Sequence, residues 1–242
     1  MCTVTVIPFN NKLFITSNRD ERSLRKDAIE PVTYLHGDSK LTYPKDADAG
    51  GSWIAVNHIG NAAVLLNGAF EKHISKPPYR KSRGLIFIDI IKNISPVNAF
   101  AKIDLDNIEC FTIIIFENND LFECRWDGKK KYCRKLENNK PHIWSSATLY
   151  PEHIVKKREK WFSEWLHQNQ FIAWDDIIAF HKFGGDGDVK NDFKMNRDGL
   201  MYTVSITSIA IDNNKALMHY ADLKNNKISA ATVKFTSSLQ FA

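Results

Sequence analysis

Long apolar runs are missing from this chain: no stretch approaches the ~20 residues that a membrane-spanning helix needs. The N-terminus lacks a charged segment followed by an apolar core, so no secretory signal is expected. Cysteine is scarce as well. The four cysteines, Cys2, Cys110, Cys124 and Cys133, show no C-x-x-C spacing and have no clustered histidines beside them. That pattern argues against a structural zinc site or a disulfide scaffold. The eight histidines are scattered, none pairing with another at ligand spacing, and Gly184-Gly185-Asp186-Gly187-Asp188 reads as a flexible loop without the further carboxylates of a calcium loop. We therefore assign no metal.

Charge of one sign is also lacking. The net charge is only +5, and the basic residues are dispersed apart from Lys129-Lys130-Lys131, which reads as a hairpin tip after Asp127-Gly128. A nucleic-acid partner would want a denser basic stripe with interleaved aromatics, so none is expected. Repeats, low-complexity segments and linkers are absent, and the 43% apolar and 25% charged fractions are those of an ordinary soluble globular protein. Length alone allows one large domain or two small ones, and the oligomeric state is left open.

What is present begins at Cys2, directly behind Met1. Cysteine is small, so removal of the methionine is expected, leaving a thiol and a free α-amine on one residue. The thiolate is the reactive form, and an ordinary thiol near pKa ~8.5 is mostly protonated at neutral pH. An α-amine titrating near ~7.7–8.0 can take the thiol proton with no second side chain. Such a thiol suits a reducing cytoplasm, where we place the protein.

Further on comes Ser17-Asn18-Arg19-Asp20-Glu21. Lys12–Thr16 reads as a strand and Asn10-Asn11 as the turn before it, giving an N-terminal hairpin. Alternation puts Asn18 and Asp20 on one face and Arg19 on the other. Asp20 is then a candidate to orient the α-amine, and Asn18 to fix a backbone or substrate carbonyl. The plainer alternative is a charged strand end in solvent. Ala49–Asn57, with its Gly50-Gly51-Ser52-Trp53, and Ala62–Leu66 read as paired strands closed by Asn67-Gly68. An amide at that strand end is a candidate oxyanion donor, although Asn-Gly is also a common turn dipeptide.

Strands dominate the first ~70 residues by pattern. Gly84–Lys102 reads as helix interrupted at Ser95-Pro96, 111–116, 121–126 and 131–134 as a meander, 151–169 and 175–182 as helices, and 201–211, 216–220 and 228–235 as strands. Ile154, Trp161, Phe162, Trp165 and Leu166 form the apolar face of the longest helix. This order argues for mostly antiparallel sheets with helices segregated outside.

Cys2, Asn18-Arg19-Asp20-Glu21, Gly50-Gly51-Ser52-Trp53, Leu66-Asn67 and Ser82-Arg83-Gly84 together resemble the NRDE family, which includes the transport and Golgi organisation protein 2 group. That family in turn looks like the N-terminal-nucleophile hydrolases of the choloylglycine hydrolase and penicillin V acylase branch. The resemblance implies an α+β fold, a four-layer αββα sandwich forming a single domain over 1–242. It implies catalytic roles for Cys2 as nucleophile, Asp20 and Asn18 beside it, and Asn67 in the oxyanion hole. This chain departs from the hydrolase pattern at three points. Ser17 stands where the motif has arginine, Ser145 or Ser146 replaces a loop asparagine, and Tyr202–Thr207 offers no clear match to a late arginine. Candidate ligand-binding residues are Arg19, Ser146, and Arg80 and Arg83 ahead of a helix start, where an anion is favoured. His58 and His73 lie closest in sequence to this region.

Two functions follow from the resemblance. One is an amidohydrolase or acyltransferase acting through a thioester on a small acyl or amide substrate, with no cofactor. The other is a non-catalytic carrier of haem or acyl-coenzyme A and lipid.

Overall fold

The computed structural model describes residues 3–169 and 171–236. The chain opens with a hairpin of β1 (Thr3–Phe9) and β2 (Lys12–Arg22), turned by Asn10 and Asn11 at φ 50 and 57. Two left-handed residues in a two-residue turn match the twist of the flanking strands. β3 (Ile29–His36), β4 (Ser39–Lys45), β5 (Ile54–Asn57) and β6 (Ala62–Asn67) follow as antiparallel neighbours. Helix α1 (Arg83–Ile91) starts at Ser82, whose hydroxyl accepts from the Leu85 N–H; α2 (Pro96–Lys102) starts at Ser95, with proline in its first turn. The meander is β7 (Phe111–Glu117), β8 (Asp120–Trp126) and β9 (Lys131–Leu136). Then come β10 (His142–Ser145), α3 (Glu152–Gln168), α4 (Trp174–Phe183), β11 (Asn196–Arg197), β12 (Met201–Ile211), β13 (Lys215–Asp222) and β14 (Lys227–Lys234).

These strands form two antiparallel sheets, one ordered β10-β1-β2-β12-β13-β14 with β11 on β12, the other β3 through β9 in chain order. Alternation along β1 decides the layering. Val4 and Val6 enter the core shared by the two sheets, whereas Ile7 joins Phe162, Ile177, Phe180 and Phe193 beneath α3 and α4. Helices α1 and α2 pack on the outer face of the second sheet. The result is the expected αββα sandwich.

Three local expectations need correction. Ala49–Trp53 is not strand: Gly50 sits at φ +71 in a turn where the Gly50 N–H donates to Asp46 O and the Asp46 N–H to Gly51 O, and β5 begins only at Ile54. The strand β10 was not anticipated, although it forms the edge beside β1. The stretch after α4 is anchored rather than loose: the Asp186 N–H donates to Asp192 Oδ1 at 3.0 Å, and Phe193 is wholly buried.

Candidate active site

The register of β1 on β2 sets Thr3 opposite Asn18, so the N-terminal strand ends beside the Asn18-Arg19-Asp20 run. Cys2, the residue before Thr3, lies outside the described residues. Asp20 is 3% exposed, and its two oxygens have separate partners: Thr203 Oγ1 donates to Oδ1 at 2.5 Å, Tyr150 OH to Oδ2 at 3.0 Å. Thr203 reaches it because the β2–β12 ladder shifts register between Thr203 and Ser205. A bulge at that place re-aims a side chain without ending the pairing.

Behind Tyr150 stands Arg158 of α3, fully buried. Its guanidinium donates to Tyr150 OH at 3.1 Å, Asn191 O at 3.0 Å, Asp192 O at 2.6 Å and to Thr3 Oγ1, and it lies 3.9 Å from the Tyr150 ring centroid. Among the described residues it forms no carboxylate ion pair. A permanently charged group held by hydroxyls and carbonyls polarises the Tyr150 O–H toward Asp20. Arg158 went unnoticed in the sequence, but a signal existed: it sits at i+4 from Ile154 and i−4 from Phe162, inside the apolar stripe.

Asn18 and Asp20 do share a face, yet Asn18 is fully engaged. Its Nδ2 donates to His181 O at 3.0 Å and Phe193 O at 2.7 Å, and His181 Nδ1 sits 2.6 Å from its Oδ1. The expected carbonyl contact is therefore to backbone, and the side chain ties β2 to α4. Since Oδ1 accepts from Nδ1, the Thr5 hydroxyl at 2.8 Å donates to His181 Nε2. Burial, with the nearby Arg158 charge, pushes His181 down to about 3.

Asn67 closes β6 opposite Phe111, and the Ser146 hydroxyl donates to its carbonyl at 2.9 Å. Its side-chain amide, half-buried, makes no hydrogen bond among the described residues. Gly68, at φ +82, lies so close beneath the next turn that a Cβ would stand 3.0 Å from Thr148 Cγ2. The stretch 146–150 thus touches Asn67 through Ser146 and Asp20 through Tyr150, bringing residues of both sheets to one place. A cleft of about 720 Å³ opens alongside, walled by Phe70, Trp144, Leu149, Tyr150 and Arg125. That volume suits a small molecule.

The other candidates stand elsewhere or are already paired. Arg19 lies 4.6 Å from the Trp53 ring centroid and donates to Asp46 Oδ2 at 2.7 Å. Burial alone would raise the Asp46 carboxyl, but the Ala49 N–H, Arg25 and Arg19 outweigh it and hold it below the usual carboxylate range. Arg83 pairs with Glu109 at 3.0 Å and is lowered from its ordinary value by burial. Arg80 binds the carbonyls of Asp104 and Asp106 and the Asp104 carboxylate. His73 meets Glu109 at 3.2 Å, while His58 Nδ1 accepts from the Lys40 N–H at 3.2 Å. Arg80, Arg83, His58 and His73 do not line the cleft; neither do Asp20, Asn18, Asn67 and Ser146, but Tyr150 of the cleft wall bonds Asp20 directly.

Solved structures share this architecture. An N-acylethanolamine-hydrolyzing acid amidase ortholog from Caenorhabditis elegans superposes with a TM-score of 0.58 at 14% identity, covering 86% of this chain and 92% of that one. A variant of the conjugated bile acid hydrolase from Clostridium perfringens gives 0.62 at 10% identity, covering 100% and 99%. At such identities the likeness is one of fold, that of the N-terminal-nucleophile hydrolases. No match was found among curated proteins. The sequence itself is more specific: its residues 1–230 match the model of the Transport and Golgi organisation 2 family, to which this chain belongs.

Proposed function

We propose that the protein is an N-terminal-cysteine amidohydrolase or acyltransferase. The observation that carries this reading is the buried Asp20, fixed by Thr203 and Tyr150 at the strand end where Thr3 begins β1. In this mechanism the α-amine of Cys2 takes the thiol proton, and the thiolate attacks the carbonyl carbon of an amide. Asp20 holds the resulting ammonium in place, with Arg158 and Tyr150 as positioning residues behind it. The Asn67 amide and a backbone N–H stabilise the oxyanion. Collapse breaks the C–N bond, the ammonium protonates the leaving amine, and a thioester remains for water or another acceptor. Asn18 contributes by positioning β2. Both structural relatives named above are hydrolases by title, which supports the reading by analogy of fold.

One other reading, a carrier of acyl-coenzyme A or haem, draws on the apolar wall of Phe70, Trp144 and Leu149 in this cleft, whose charged residues are of both signs, Lys72 and Arg125 beside Glu71, Glu152 and Glu159. Acylation by a p-nitrophenyl ester separates the two. The enzyme reading expects one acyl group per chain, mapped to Cys2, and a slowing on the order of 100-fold in Asp20→Asn. Acylation spread over other residues, or unchanged in Asp20→Asn, favours the carrier.

A further inference from the structure

Away from this site, β8 and β9 set two cysteines side by side. Cys124 and Cys133 are direct register partners, and their sulfurs lie 2.7 Å apart. Cross-strand partners have Cα atoms about 4.5–5.5 Å apart, inside the roughly 4.4–6.8 Å range that a disulfide requires. The linear spacing, with eight residues between them, hides this juxtaposition. The two thiols differ in access: Cys124 is buried on the face of β8 that packs against α2, while Cys133 is exposed on the edge strand. Alternation puts Cys133 on the same face of β9 as Lys131, whose ammonium caps the end of α2 at Ala101 O.

We infer that Cys124 and Cys133 form a redox-active pair, an oxidation site separate from the proposed active site, in which Cys133 meets the oxidant and Cys124 resolves it. The hydrogen bond between the sulfurs, with burial of Cys124, raises Cys124, while the same bond lowers Cys133. Cys133 is thus the nucleophile and Cys124 the proton carrier.

The oxidant is a hydroperoxide. The Cys133 thiolate attacks one peroxide oxygen, the O–O bond breaks, and the second oxygen leaves as water or an alcohol after taking a proton. Cys133 is then a sulfenic acid. The Cys124 sulfur displaces the sulfenic oxygen, so that an S–S bond forms, the S–O bond breaks, and water departs with the Cys124 proton. Two electrons pass from the thiols to the peroxide.

The test treats the full chain with limiting hydrogen peroxide, blocks remaining thiols, and digests it without reduction with trypsin and a glutamate-specific protease, which cuts at Glu117 and so separates Cys110 from Cys124. The expected product is a linked pair of peptides carrying Cys124 and Cys133, formed on the order of tenfold faster than Cys110 is consumed. In Cys124→Ser, dimedone should trap the sulfenic acid on Cys133. Linkage through Cys2 or Cys110 instead, full alkylation of both thiols after peroxide, or no dimedone adduct in Cys124→Ser would overturn the inference.

Discussion

Asn18, His181 and Thr5 form a buried chain in which each group has a fixed donor or acceptor role, and that chain makes stability depend on pH. His181 is pushed down to about 3 from its ordinary 6.5. Above 6.5 neither the folded nor the unfolded state carries the proton. Below it the unfolded chain binds a proton that the fold excludes, so stability is lost as pH falls from 6.5 towards 3. Urea unfolding should show a loss of up to about 1.4 kcal/mol per pH unit in that window, and His181→Gln should remove this slope. A slope unchanged in the variant would contradict the assignment. Only part of the candidate site was legible at the residue scale. Asp20, Asn18 and Asn67 announced themselves by chemical type and motif. Tyr150 and Thr203, 130 and 183 residues away from Asp20, did not, because the pairing of β12 on β2 brings Thr203 there and the turn between β10 and α3 brings Tyr150.

At the scale of elements, the glycine motifs find their physical reason. A Cβ on Gly51 would stand 2.3 Å from the Gly84 carbonyl carbon, since the turn before β5 lies directly against the first residues of α1. The Ser52 N–H donates to Gly84 O at 3.3 Å, and Ser52 Oγ donates to Pro44 O at 2.7 Å. Gly-Gly-Ser-Trp and Ser-Arg-Gly are thus two halves of one close approach. Their apolar neighbours made the first read as strand, whereas the backbone contact reserves it for a turn. Gly51→Ala confronts backbone rather than a movable side chain, so we expect a loss of at least about 2 kcal/mol in urea unfolding. A variant as stable as the parent would contradict the packing. The edge strand β10 escaped notice for another reason. It is four residues long, half-exposed, and defined only by its pairing with β1.

For the whole molecule, the order of strands, helices and strands was enough to anticipate mostly antiparallel sheets with helices outside, while their stacking as a four-layer αββα sandwich followed from the family resemblance. What the order did not reveal was the meeting point. Asp20 comes from one sheet, Asn67 from the other, and the stretch 146–150 touches both. The proposed chemistry at that point needs a thiol and an unblocked amine on the same first residue. The direct measurement is the intact mass of the purified chain before and after 2-cyanobenzothiazole, which condenses with 1,2-aminothiols. The account predicts a chain lacking Met1 that takes up one equivalent, lost in Cys2→Ala. A chain that keeps Met1, or carries a blocked amine and takes up none, would contradict it.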